Sequence, residues 1–374
     1  MVQLMSFRTL RPARCRLTCS RRTSRYRVAE RLIRGIGSQL PCSDGLFFAR
    51  SRRARGPEAC ARGPTGGAMR LRLLAPRYWL TWAGLGLLRL VALLPFPWIV
   101  SLGGLLGKLL RRLPIGFVRT ARRNLELCFP ELSPAARERL LDAHFVSLGI
   151  ALLEIPLAWW SPPARIARMV RVEGAEHLRA AVARGQGVIL LTAHFTPMEM
   201  AGRALASVAP VRFLYRPTRN EVLAYALSRF RCAHGGQGIP KDDIRAFIAA
   251  LKNNECVWYA PDQSYRKKGA QMVPLFGIPA ATNTLTPRLA RMTGATVLPY
   301  FLQRLPGAQG YRATIHPPLE NFPSDCPVTD TARFNRMIEA QVRVAPEQYL
   351  WIHRRFKGLS EDYPDYYGQR ARRA

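Results

Sequence analysis

The stretch "GQGVILLTAHF", residues 185–195, constrains the fold more than any other part of the chain. A short continuous apolar run that ends abruptly in small and polar residues is the pattern of a buried strand, and this one stops at His194. "VRFLYRP", "ECVWYAPDQ", "ATVLPYF" and "YRATIHP" follow it, each strand-like, with helical stretches around residues 200–208, 219–229, 241–252 and 284–293 between them. Such alternation predicts an α/β fold with a central, largely parallel sheet flanked by helices. Upstream, "ELSPAARERLLDAHFVSLGIALLEI" predicts a helix opening at Ser133-Pro134, where Ser caps and Pro fits the first turn.

In open α/β sheets, ligands collect beyond the carboxyl ends of the strands. Three polar groups fall at such ends: His194 with Glu199, Arg216, and Asp262 with Gln263. On one continuous helix a separation of five residues turns two side chains about 140° apart. With His194 in the turn before the helix, the chain can fold back and bring His194 and Glu199 together. An imidazole takes a proton from an alcohol near neutral pH, and a carboxylate on its other nitrogen fixes the tautomer and supports the developing charge. The plainer reading makes Thr196 and Glu199 a capping box on a helix with Pro197 in its first turn, and His194 a satisfied buried histidine. Spacing alone does not choose between the two.

Arg216 can hold a phosphate through paired donors or form a surface ion pair. Asp262 and Gln263 precede Arg266, Lys267 and Lys268. This loop reads either as a turn anchored by Asp262 with ordinary solvated cations, or as a site whose cations meet a phosphorylated headgroup or an acidic carrier.

Residues 1–68 are rich in Arg, Ser, Gly and Pro, without the apolar stretch of a secretory signal. They read as a basic low-complexity extension: either translated upstream sequence with the start at Met69, or a disordered arm. From residue 78 to 110 the chain is strongly apolar, carrying Arg89 inside, Pro95 and Pro97 near the middle, aromatics such as Trp79 and Trp98, and basic residues at both ends. This predicts a membrane anchor, spanning or monotopic, with a buried helical hairpin as the neutral alternative. Residues 111–360 form the expected main domain and 361–374 a tail.

The chain carries 57 Lys plus Arg against 24 Asp plus Glu, a formal charge of +33. Such a surface favours anionic partners. A zinc finger, an aromatic RNA-recognition strand and a basic recognition helix are all missing, so nucleic acid is not an expected partner. The eight cysteines are scattered without zinc-site spacing, and no metal site is expected.

Several blocks together resemble the lipid A biosynthesis acyltransferases, the Kdo-dependent lauroyl or myristoyl transferases of the lysophospholipid-type acyltransferase superfamily. They are "ARRNLELCFPELSPAARERLLDAHFVSLG", "GVILLTAHFTPMEMAG", "FLYRPTRN", "YAPDQSYRKKGAQMVPLFGIPAATNT" and "YLWIHRRFK". The resemblance implies transfer of a fatty acyl group, laurate or myristate, from acyl carrier protein to a hydroxyl of Kdo2-lipid IVA. The donor rides on the carrier's phosphopantetheine, with no bound cofactor. It implies His194 and Glu199 as the catalytic pair, and Arg216, Asp262, Gln263, Arg266, Lys267, Lys268, Arg354 and Arg355 as substrate-binding residues. It also implies an anionic inner membrane as partner, with the catalytic domain on the cytoplasmic side. The sequence departs from the family where Phe195, Thr196, Pro197 and Met198 separate the His and Glu, and where Ser264 follows "PDQ". Two other readings stay open: a related acyltransferase with a different lipid acceptor, and a non-catalytic membrane scaffold.

Overall fold

The computed structural model describes residues 72–368 apart from 115, 217, 234 and 235. The basic extension expected over residues 1–68 and the candidate start Met69 lie outside the described residues.

The apolar run 78–110 folds as two helices, α1 (Trp79–Val91) and α2 (Phe96–Arg112). The prolines divide it: Pro95 is the N-cap of α2 and Pro97 lies in its first turn, where a missing N–H costs nothing. At about 1.5 Å per residue neither helix is long enough to cross a bilayer core of about 30 Å. Helices α3 (Gly116–Cys128), α4 (Pro134–Trp160) and α5 (Pro163–Met169) follow. Ser133 caps α4 as expected, its side chain accepting from the Ala136 N–H at 3.2 Å. Among the described residues, α4 is the one helix long and apolar enough to span a membrane, and half of its apolar window is buried within the protein. The segment 78–110 is therefore not one spanning helix, and the helix of that length lies further along the chain.

Helices α2 and α4 cross closely because glycines face the contact. A Cβ on Gly107 would lie 2.1 Å from the Phe145 carbonyl oxygen, and one on Gly149 would lie 2.2 Å from that of Gly103. Both positions need a residue without a side chain.

The remaining elements alternate. They are β1 (Val170–Glu173), α6 (Ala175–Ala183), β2 (Val188–Leu191), α7 (Met198–Ala206), β3 (Val211–Tyr215), α8 (Glu221–Ala233), β4 (Gln237–Pro240), α9 (Ile244–Lys252) and β5 (Cys256–Tyr259). A hairpin of β6 (Ala270–Leu275) and β7 (Ile278–Asn283) follows, then α10 (Leu285–Thr293), β8 (Thr296–Arg304), β9 (Tyr311–Ile315) and α11 (Pro327–Val344).

Among the described residues these strands build a seven-stranded sheet in the order β1-β9-β8-β2-β5-β3-β4. Its pairs are parallel except β8 with β9, so the sheet is mixed. Strand β2 is buried on both faces, as its unbroken apolar run requires. It sends Ile189 and Leu191 into one core cluster and Val188 and Leu190 into another.

A histidine and a carboxylate on neighbouring strand ends

Strands β2 and β3 both pair with β5, all parallel, so their carboxyl ends share one edge. From β2 the chain continues to β3 on one side, and from β5 it goes on to β8 on the other. The crevice over β2 and β5 is thus a topological switch point. His194 lies just beyond β2, Asp262 just beyond β5, and Arg216 follows β3.

His194 Nδ1 lies 2.6 Å from Asp262 Oδ1, and the His194 backbone N–H donates to Asp262 Oδ2 at 3.0 Å. The Tyr349 hydroxyl also donates to Oδ2, at 3.1 Å. Asp262 therefore locks both the ring and the backbone of His194. Burial would lower the basicity of the imidazole, but the Asp262 charge and hydrogen bond outweigh it and raise the His194 pKa. Burial likewise works to raise the Asp262 pKa, yet His194, through charge and hydrogen bonds, and the nearby Arg355 hold it below its ordinary value. With Nδ1 bound to a carboxylate that can only accept, the proton sits on Nδ1 and Nε2 is the basic nitrogen. The side chain keeps 27% exposure, which leaves it open to the adjoining cavity.

The histidine loop is also held from behind. The Thr196 N–H donates to the Gln348 carbonyl at 2.7 Å, the Leu350 N–H to that of His194 at 3.0 Å, and Phe195 bridges Tyr349. The expected capping box does not form. Helix α7 has no side-chain cap, and Thr196 Oγ1 instead shares a hydrogen bond of 2.7 Å with Ser147 Oγ on α4.

Glu199, expected beside the imidazole, lines the same cavity, and its Oε2 accepts from the Trp159 indole N–H at 3.0 Å. The carboxylate bound to the ring is Asp262. Arg216, Gln263, Arg266 and Lys267 also line the cavity, whose volume is about 740 Å³. Lys267 reaches Asp242 at 3.1 Å, and Lys268 is exposed beside it. Arg354 is half-buried, and Arg355 is buried, donating to the Ala281 carbonyl at 2.9 Å and to Thr282 Oγ1 at 2.7 Å. Arg355 thus braces β7 near Asp262.

Tyr349 and His353 were not singled out by sequence reasoning. His353 Nε2 accepts from the Ser264 N–H at 3.0 Å, and burial pulls its pKa down to about 4, so it stays a neutral acceptor. Both lie within or beside the terminal "YLWIHRRFK" block, the only signal that could have found them.

The profile of the bacterial lipid A biosynthesis acyltransferases matches residues 68–358. The chain belongs to this family. It is an acyltransferase of lipid A biosynthesis. It is 41% identical to the lipid A biosynthesis lauroyltransferase of Escherichia coli (strain K12), over 79% of this chain and 97% of the relative. The lipid A biosynthesis palmitoleoyltransferase of the same organism is 40% identical, over 76% of this chain and 93% of its own length. A lipid A biosynthesis acyltransferase of Haemophilus influenzae is 33% identical over 76% and 92%. In this lipid A acyltransferase the histidine loop, the Asp262 loop and the terminal block all fall within the matched residues.

Proposed function

We propose that this acyltransferase moves a fatty acyl group from the phosphopantetheine of acyl carrier protein to a hydroxyl of Kdo2-lipid IVA, with His194 as general base. The hydrogen-bonded pair of His194 and Asp262, opening onto a large cavity with a cationic rim, carries this reading. His194 Nε2 takes the proton of the acceptor hydroxyl as its oxygen attacks the thioester carbonyl. Asp262 supports the resulting imidazolium. The tetrahedral intermediate collapses with cleavage of the C–S bond, and the proton passes from the imidazolium to the departing thiolate. The step is a direct transfer and is balanced without a protein-bound acyl intermediate. Arg216, at the end of the strand next to β5, brings positive charge to the developing oxyanion. Arg266 and Lys267 offer their charge to the phosphates of the acceptor or to the acidic carrier.

The test is mass spectrometry of products from lauroyl and myristoyl carrier protein with Kdo2-lipid IVA. The parent yields an acylated product, and His194→Ala lowers its rate by about 10²–10⁴-fold with the fold retained. A folded, membrane-bound parent without product sinks the reaction, whereas equal rates in both sink the role of His194.

The protein works at the cytoplasmic face of the inner membrane, docked through α1 and α2. Leu80 is 86% exposed, and on α2 the exposed Trp98, Leu102, Leu105 and Leu109 repeat at helical spacing, opposite the buried Ile99, Gly103 and Gly107. The exposed Arg77, Lys108 and Arg112 flank this apolar surface, suiting it to lie in the interface of an anionic bilayer. Each leucine buried in lipid is worth about 1.5–3 kcal/mol, so Leu105→Glu with Leu109→Glu weakens co-flotation with anionic vesicles by more than about tenfold. Unchanged flotation would place the docking surface elsewhere.

A further inference from the structure

The carboxylate on the imidazole has a donor that does not come from the histidine. We infer that Tyr349 is a positioning residue for the transfer proposed above: its buried hydroxyl, bonded to Asp262 Oδ2, restrains the hold of that carboxylate on the imidazole and so keeps His194 Nε2 free to take a proton near neutral pH. This rests on His194 acting as the base.

Tyr349 joins two loops that only folding brings together. Its backbone runs beside the histidine loop, with a bridge to Phe195 and flanking hydrogen bonds from Thr196 to Gln348 and from Leu350 to His194. Its side chain crosses to the other loop, where the hydroxyl donates to Asp262 at 3.1 Å. The residue is 4% exposed, and its ring sits edge-on to Phe195 at 5.6 Å and to Trp351 at 4.9 Å. A phenylalanine would keep those ring contacts. The hydroxyl is what costs desolvation in this apolar core, and Asp262 is the partner that offsets it. Tyr349 is not among the described residues that border the large cavity, so it acts on the acceptor only through Asp262.

The donors on Asp262 are divided unequally. Oδ1 faces the imidazole, whereas Oδ2 takes both the His194 N–H at 3.0 Å and the Tyr349 hydroxyl. The two oxygens share one charge, and each donor on Oδ2 stabilises it there, which makes Oδ1 a weaker acceptor for the proton on Nδ1. Asp262 raises the His194 pKa against burial, and the hydroxyl limits how far. That limit matters, because an imidazole already protonated at the working pH cannot serve as a base.

The other groups that face the pair are the same with or without this hydroxyl. The terminal block brings Arg355, which also draws the Asp262 pKa down, and His353, neutral with its pKa at about 4. Burial keeps the Tyr259 hydroxyl of β5 and the Cys128 thiol of α3 protonated, and His144 of α4 neutral. Behind Thr196, Arg304 and Glu154 compensate each other as a buried ion pair. On the cavity side stand Glu199 of α7 and the rim cations Arg216, Arg266 and Lys267. A movement of the His194 titration on removing the hydroxyl therefore reports the lost bond.

The experiment reads that titration without substrate. Carbethoxylation by diethylpyrocarbonate, which attacks only the unprotonated imidazole nitrogen, is followed from about pH 5 to 9 by mass spectrometry of the peptide carrying His194. Tyr349→Phe moves the midpoint up by about 0.5–1 unit, and the acidic limb of acyl transfer rises with it. Melting curves check that the variant folds as the parent does. Incorporating 3-fluorotyrosine at position 349, a stronger donor that keeps the ring, moves the midpoint the other way. In an Asp262→Asn background Tyr349→Phe leaves the midpoint in place, because no carboxylate remains for the hydroxyl to restrain. A folded Tyr349→Phe protein with an unmoved or lowered midpoint would overturn the inference and leave Tyr349 a packing residue. A raised midpoint with an unmoved acidic limb would overturn it too, by separating the titration from the chemistry. A parent that transfers no acyl group overturns the reaction itself, while the midpoint still decides whether the hydroxyl acts on His194.

Discussion

Asp262→Asn lowers acyl transfer by about 10²–10⁴-fold, close to the loss expected for removing the base itself. The carboxylate accepts from the imidazole at Nδ1, which leaves Nε2 free for the proposed role of base and places a negative charge where it would steady an imidazolium. An amide in its place can turn its NH₂ toward Nδ1, and the ring then carries its proton on Nε2, where it cannot take another. The pH profile moves as well. In the parent, transfer falls as pH drops through the His194 pKa, which Asp262 holds above its ordinary value against the effect of burial. Without that charge the burial effect prevails. The acidic limb of the Asp262→Asn profile therefore shifts to lower pH, although the plateau is much reduced. Initial rates across pH 5–9 check both effects. A variant within a few-fold of the parent, with an unmoved acidic limb, would remove Asp262 from the mechanism.

Glu154→Ala destabilises the protein by about 3–5 kcal/mol, the usual cost of leaving one half of a buried ion pair alone. Arg304 grips Glu154 with two donors, Nε at 2.5 Å and Nη2 at 2.6 Å, and both side chains are almost wholly buried. The Tyr311 hydroxyl donates to the same carboxylate at 2.5 Å. Removing the carboxylate leaves the Arg304 charge buried without compensation. Arg304 also donates to Ser147 Oγ at 2.9 Å, and Ser147 is the partner of Thr196, two residues beyond the base. Loss of the pair therefore loosens the histidine loop in addition to the core. Denaturant unfolding in mild detergent measures the stability change. The double variant Glu154→Met, Arg304→Met loses less than Glu154→Ala, because it leaves no stranded charge. A single variant within about 1 kcal/mol of the parent would show that the pair contributes little.

Much of the sheet was legible from local pattern. The apolar runs ending at Leu191, Tyr215 and Tyr259 are strands, and the helical stretches between them appear as α7 to α10 within a few residues. Side-chain periodicity and the entropy of turns act over short distances, so such elements are written locally. The position of His194 and Asp262 at strand ends was legible for the same reason. Their partnership was not. It depends on β5 inserting between β2 and β3, a pairing decided by contacts far apart in sequence. The family resemblance paired His194 with Glu199, five residues away, whereas the carboxylate on its ring is Asp262, sixty-eight residues away.

The terminal block shows the same division. Its likeness to the family singled out Arg354 and Arg355, yet only folding shows Arg355 buried against β7 and the Tyr349 hydroxyl on Asp262. In the apolar segment 78–110, composition left open a spanning helix, a monotopic anchor and a buried hairpin, and the structure divides it at the prolines into two helices. The glycine-lined contact with α4 decided which face stays outside. The sequence by itself determined the elements, the family and the histidine, because these rest on local propensity and on residue types in a recognisable order. The tertiary structure alone decided which carboxylate is hydrogen-bonded to that histidine, and which accepts from an indole in the cavity wall. A hydrogen bond depends on ångström-scale distance and angle, which spacing along the chain does not encode.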